Sequence, residues 1–208
     1  MGNPCTHGWY LGVPPMVSAD VSQLYFLWHV PAGTMLGWPI ILKVRDSVQS
    51  LGVVTSLPTG VTQGTFKLAL YRNGTDTPAT TNPTPTPAAP GLFVVATDDI
   101  QAVGGDNICT NNIAAMGALA GGVQYAATTT AYYWVTLLVT GNDDVVIVGR
   151  NAAILEPTWC ASTLTLPPAP APTSNATTLA NCAPQGRITD AGMYNGAIPH
   201  LFVVVSPG

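Results

Sequence analysis

Charged side chains are scarce in this 208-residue chain: Asp, Glu, Lys and Arg make up 8% of it, against about 25% in ordinary soluble proteins. A lone domain normally needs more charge than that to stay dispersed in water. The shortage leaves three classes: a membrane protein, a neutral secreted protein, or a subunit largely covered by copies of itself. Cations are scarcer still. Lys43, Arg45, Lys67, Arg72, Arg150 and Arg187 are the whole set, they are dispersed, and the formal net charge is −4. Nucleic acid is held by clustered cations that neutralise phosphates, so nucleic-acid binding is excluded.

Long apolar runs are also missing. Stretches such as Val145–Val148 and Leu201–Val205 fall far below the about 18–20 residues of a spanning helix. Pro-rich stretches interrupt any series of alternating strands that a membrane barrel would need, so no membrane partner is expected. Met1-Gly-Asn-Pro4 has no basic start and no continuous apolar core follows it. No signal peptide is therefore expected, and synthesis is expected in the cytoplasm. The four cysteines, Cys5, Cys109, Cys160 and Cys182, contain no C-x-x-C pair, which removes the usual metal-site spacing. Free, partly buried thiols are the expectation for a protein made in a reducing compartment. A Cys160–Cys182 bridge is the alternative, and it would clip the Pro-rich segment between them.

Recognisable catalytic sets are absent as well. The sequence has no G-x-S-x-G elbow, P-loop, dinucleotide fingerprint or H-x-x-x-H pair. The histidines are His7, His29 and His200; His29 alternates with apolar neighbours and reads as a packed or interface residue. Asp98-Asp99 and Asp143-Asp144 are adjacent pairs, and on a strand adjacent residues point to opposite faces, so they read as turn residues. A calcium site at Asp98, Asp99 and Asp106 lacks the spacing of an EF-hand loop. No enzyme activity, no cofactor and no metal are expected.

What is present is β-type sequence between clusters of Gly, Pro, Asn and Thr. Leu24–Val30, Trp38–Val44, Leu51–Thr55, Leu92–Thr97 and His200–Val205 read as strands. Thr65–Tyr71 alternates, with Phe66, Leu68 and Leu70 on one face and Lys67, Ala69 and Tyr71 on the other, which predicts one buried face. Tyr132–Val139 and Val145–Val148 flank Thr140–Asp144 and read as a hairpin. Asn111–Leu119 is the one place where a helical turn or two is expected. Thr75–Pro90 repeats Thr and Pro, which favours extended, solvated backbone in a loop; Leu166–Pro184 reads as a second such loop. The expected architecture is all-β: an antiparallel two-sheet jelly-roll sandwich of about eight to ten strands with long Thr/Pro-rich loops. It spans residues 21–208 and follows an N-terminal arm over residues 1–20.

That arm is apolar. Trp9, Tyr10, Leu11, Val13 and Met16 would expose a patch that water disfavours, and two readings stand: it docks on a neighbouring subunit, or it packs on its own domain. Sugar-binding sandwiches present aromatic rings to pyranose faces, and Trp38 and Trp159 are the candidates for such a contact. Trp28 and Trp134 lie in strand runs and read as core.

Gly64-Thr-Phe-Lys-Leu-Ala-Leu-Tyr-Arg-Asn-Gly74 and Ala131-Tyr-Tyr-Trp-Val-Thr-Leu-Leu-Val-Thr-Gly141 together resemble jelly-roll domains of tailed-bacteriophage virion proteins. The likeness covers a third to half of the chain and departs from it in the Thr/Pro insertion after Thr75 and in the Cys160–Cys182 region. The resemblance implies a jelly roll at the virion surface, made in the host cytoplasm and commonly trimeric. Its partners would be copies of itself and a major capsid or other virion protein. A capsid-surface decoration or cement subunit is the expected function. The alternative is a carbohydrate- or receptor-binding module of a tail or fibre.

Overall fold

The computed structural model describes residues 9–12, 25–56, 62–103, 112–151, 158–162, 192–194 and 197–206. These form two antiparallel sheets. Fifteen strands run in chain order: β1 (Trp9–Gly12), β2 (Tyr25–Val30), β3 (Thr34–Leu42), β4 (Ser47–Ser56), β5 (Thr62–Asn73), β6 (Pro90–Ala96), β7 (Ile100–Val103), β8 (Asn112–Ala118), β9 (Tyr125–Ala126), β10 (Ala131–Val139), β11 (Val145–Asn151), β12 (Thr158–Ser162), β13 (Gly192–Tyr194), β14 (Ala197–Pro199) and β15 (Leu201–Ser206). One sheet runs β1-β15-β4-β11-β14, with β2 on β11 and with β8 and β9 on β4. The other runs β13-β12-β3-β10-β5-β6, with β7 also on β5.

The core lies between the sheets. Leu36, Trp38, Ile40 and Leu42 from β3 meet Phe66, Leu68 and Leu70 from β5 and Tyr133, Val135 and Leu137 from β10. From the facing sheet come Val48, Leu51, Val53, Ile147, Leu201 and Val203. On β3, β5, β10 and β15 these residues alternate, and on β4 a register irregularity between Val48 and Ser50 brings Val48 onto the face of Leu51 and Val53, so one face of each sheet closes this core.

The seven-stranded sheet also buries its other face. Met35, Ala69, Tyr71, Ala96, Trp134, Leu138 and Trp159 form a second apolar cluster, with Ala89 and Phe93 packed against it. This corrects the expectation of a single buried face on β5: Ala69 and Tyr71 are each only 1% exposed. A strand apolar on both faces belongs inside a covered sheet, and β10 lies between β3 and β5 along its length.

The expected hairpin between Tyr132–Val139 and Val145–Val148 does not form. β10 pairs with β3 and β5, whereas β11 pairs with β2, β4 and β14 in the other sheet. Both edges of β10 are already occupied, so the chain must cross the sandwich after Val139. The backbone N–H groups of Thr140 and Gly141 donate to the Thr65 carbonyl at 2.8 and 2.9 Å, and this fixes the crossing. The helical expectation over Asn111–Leu119 also fails. β8 pairs residue by residue with β4 from Ser50↔Ala118 to Ser56↔Asn112. Gly117 permits close packing there, since a Cβ would lie 2.7 Å from Ile100 Cδ1 and 2.8 Å from Thr97 Cγ2. Among the described residues there is no α-helix, only a 3₁₀ turn at Ala120–Gly122. None is long and apolar enough to cross a membrane.

Candidate functional site

The Thr/Pro loop between β5 and β6 is the largest departure from a bare sandwich, and the sequence hides how firmly it is held. Two polar side chains brace it. Asn73, fully buried at the end of β5, donates through Nδ2 to the Thr86 carbonyl at 2.8 Å. Its Oδ1 accepts from the Ala88 backbone N–H at 2.8 Å and from the Trp134 indole N–H at 2.9 Å. Asp76, 5% exposed, accepts on both carboxylate oxygens from the Thr84 N–H at 3.1 Å. The Thr84 hydroxyl adds a bond to Oδ1 at 2.8 Å. The Gly74 N–H closes the loop base onto the Ala89 carbonyl at 2.7 Å. A Cβ on Gly91 would run into the Gly74 carbonyl, so this base has no room for a larger residue. The solvated, extended segment expected from its composition is therefore a pinned loop, and Phe93 beyond its base packs edge-on against Tyr71 at 5.8 Å.

A second polar set lies at the same end of the inner core. Arg72 is 5% exposed and donates to the Tyr125 hydroxyl at 3.1 Å and to the Tyr133 hydroxyl at 3.4 Å. Its guanidinium carbon stands 5.6 Å from the Tyr133 ring centroid, within reach of a cation–π contact. The two hydroxyls are 3.0 Å apart. Phenol oxygens and a ring face thus replace the carboxylate that a buried cation usually finds. Burial pushes the Tyr71 hydroxyl well above its usual range. Burial first, then the hydrogen bond and charge of Tyr133, push Tyr125 up too, against a smaller lowering by Arg72.

Between the loop and the sheet lies a shallow notch of about 180 Å³, lined by Ile41, Pro83, Thr84, Pro85, Thr130, Ala131 and Tyr132. Ligand pockets usually run about 300–1,000 Å³. The notch suits a protruding side chain better than a cofactor. Ile41 is 48% exposed, and the neighbouring Val44 is 53% exposed.

The residues singled out from the sequence fall in several places. Trp9, Tyr10 and Leu11 lie in β1, which pairs with β15 of its own sheet in the register Trp9↔Val205, Tyr10↔Val204, Leu11↔Val203. Val13 and Met16 lie outside the described residues. Trp38 is 4% exposed in the inner core and Trp159 is 5% exposed in the outer cluster. As placed, neither offers the open ring face that a sugar stacks on. Trp134 is buried, while Trp28 pairs through its backbone with Ile147. His200 is buried, His29 lies on β2 opposite Val146, and His7 lies outside the described residues. Asp98, Asp99, Asp143 and Asp144 are exposed; Asp106 and Glu156 are outside the described residues. Among the described residues no three His, Cys, Asp or Glu side chains converge.

Cys160 is buried and disulfide-bonded. This corrects the expectation of free thiols for that residue. Cys5, Cys109 and Cys182 lie outside the described residues. Spacing alone could not show that Cys160 is bridged, because a bridge depends on Cα atoms coming within about 7 Å of each other in space.

Neither a family model, nor a curated protein, nor a solved structure matches this chain.

Asn73→Ala removes three hydrogen bonds and leaves the Trp134 indole N–H buried without its acceptor. Urea denaturation is expected to show a loss of about 2–4 kcal/mol, with faster proteolytic nicking between Thr77 and Thr86. Nicking at the wild-type rate would show that Asn73 does not hold the loop. The two tyrosines set a separate pH dependence. Their hydroxyls ionise in the unfolded chain near pH 10 but later in the fold, so stability is complete below about pH 10 and falls as pH rises beyond it. Tyr71→Phe combined with Tyr125→Phe should flatten that fall; an unchanged slope would remove both hydroxyls as its cause.

Proposed function

We propose that this protein is a non-enzymatic structural subunit of a virion, acting at the capsid surface as a decoration or cement protein. Its work is contact: with copies of itself and with a major capsid or other virion protein. The observation that carries this reading is where the few ionic groups lie. The exposed side chains of the Thr/Pro loop from Thr75 to Ala88 are all neutral, and Leu92 on the edge strand β6 is 40% exposed. A neutral flank of this kind costs little to desolvate against a neighbour. The braced loop loses little further conformational freedom on docking.

Two further features support it. Successive strands switch sheets, from β2 to β3 to β4 to β5 and again from β10 to β11 to β12, a crossing pattern compatible with a two-sheet jelly roll. The Cys160 disulfide suits an oxidising setting such as a particle surface.

Purified protein should sediment with isolated particles and decorate them under immunogold labelling, and light scattering should show species larger than the 21.5 kDa chain. A lasting monomer that leaves particles unlabelled would contradict the reading; if that monomer instead gave a glycan-array signal, the receptor-module alternative would replace it.

A further inference from the structure

Among the described residues the ionic groups are segregated. β3, β10 and β5 run side by side, and their ends define two ends of the sandwich. Leu42, Ala131 and Asn73 stand near one end, and Met35, Leu138 and Phe66 near the other. Along the nine residues of β3 these ends are roughly 25 Å apart.

The second end gathers acid. Asp98 and Asp99 follow β6, and Asp143 and Asp144 precede β11. Contacts tie the two pairs together: the Thr140 hydroxyl bonds Asp99 Oδ1 at 3.2 Å, Thr140 N–H reaches the Thr65 carbonyl, and Gly64 lies against the Asp143 carbonyl. All four aspartates are exposed. Lys67, 3.8 Å from Asp99, is the cation among them. Among the described residues, four carboxylates against one lysine leave this end formally at −3. Beside them projects the turn Pro31-Ala32-Gly33, tied down by Gly33 N–H to the Val139 carbonyl at 3.0 Å; Ala32 is exposed.

The first end is its complement. The β3–β4 turn displays Lys43, Val44 and Arg45, all exposed, against a single Asp46. Asp46 Oδ2 accepts from the Lys43 backbone N–H at 2.8 Å. Arg45 sits at φ 76°, in the left-handed region where Gly or Asn is less strained. Its N–H bonds the Ala127 carbonyl and the Ala127 N–H bonds the Asp46 carbonyl, both at 2.9 Å. The surroundings thus hold a long cation where the backbone favours glycine. Val44 N–H bonds the Thr130 hydroxyl at 3.0 Å, which sets this turn beside the notch of Ile41, Pro83, Pro85 and Tyr132.

We infer that the apolar notch flanked by Lys43 and Arg45 receives the acidic end of a second copy of this chain, Pro31-Ala32 entering the notch while Asp143 and Asp144 meet the two cations. The inference rests on the self-association proposed above and names its surfaces. The contact is heterologous: it uses a different patch on each partner, and so closes into a ring or continues as a filament according to the rotation it imposes. With the ends roughly 25 Å apart and screening over about 8 Å at physiological salt, each end acts on its neighbour with little influence from its own far end.

A charge-swap experiment tests this by sedimentation velocity at low and high salt. Lys43→Glu with Arg45→Glu makes both ends acidic, and Asp143→Lys with Asp144→Lys makes the acidic end cationic. Wild-type association should weaken with salt, each variant alone should associate at least about tenfold more weakly, and an equimolar mixture should recover association. Lys43→Gln with Arg45→Gln, the milder change, should fall between wild type and reversal. Variants that associate as well as wild type would overturn the end-to-end contact and leave self-association standing. So would loss in both variants without recovery on mixing. A wild type that stays monomeric at every concentration would sink both readings.

Discussion

Strand β10 sets the terms for the rest of the molecule, because it is apolar on both faces and cannot be left open on either. Tyr133, Val135, Leu137 and Val139 turn into the core between the sheets, while Trp134 and Leu138 turn outward. The inner side is met by the facing sheet. The outer side needs a second cover, and the chain supplies part of it by folding the base of its own Thr/Pro loop back over Tyr71 and Trp134. A buried indole N–H is costly without an acceptor. Asn73 supplies that acceptor and holds the loop with the same side chain, so the cover and the strand beneath it are fixed together.

Local pattern showed much of this and missed what depends on partners in space. Alternation in Thr65–Tyr71 marked a strand and the correct split of its faces. It could not show that Ala69 and Tyr71 face a second buried layer, since a covered outer face leaves no mark of its own. Thr140-Gly-Asn-Asp-Asp144 has the composition of a hairpin turn, yet it carries the chain from one sheet to the other. Turn residues report that the chain bends and not which strand receives it. Asn112–Ala118 is rich in alanine and reads locally as helix, but pairing with β4 overrides that propensity. No local pattern marks Asn73 and Asp76 as braces. Their role as braces exists only because Thr84, Thr86, Ala88 and Trp134 come to them in three dimensions.

The same contrast holds for function. Scarcity of charge was legible at once, and it pointed to a surface shared with neighbours. Where the remaining charges sit was not legible, because Asp98-Asp99 and Asp143-Asp144 are far apart in sequence and meet only through the crossing after β10. Nor could sequence separate a tryptophan on display from one in the core: Trp38 and Trp159 are both buried, in different layers. With these rings covered and the loop braced, the exposed character of the described residues concentrates in a neutral flank and two ends of opposite sign. In the proposed assembly, those ends carry recognition and the flank carries bulk contact.

Hydrogen–deuterium exchange, read on the assembled and the dispersed protein, tests that assignment most directly. The account predicts that assembly slows exchange in peptides covering residues 41–45, 83–85 and 130–132, and also in those covering 31–33 and 141–144, while β10 is equally protected in both states. Unchanged exchange at both ends in the assembled state would contradict it.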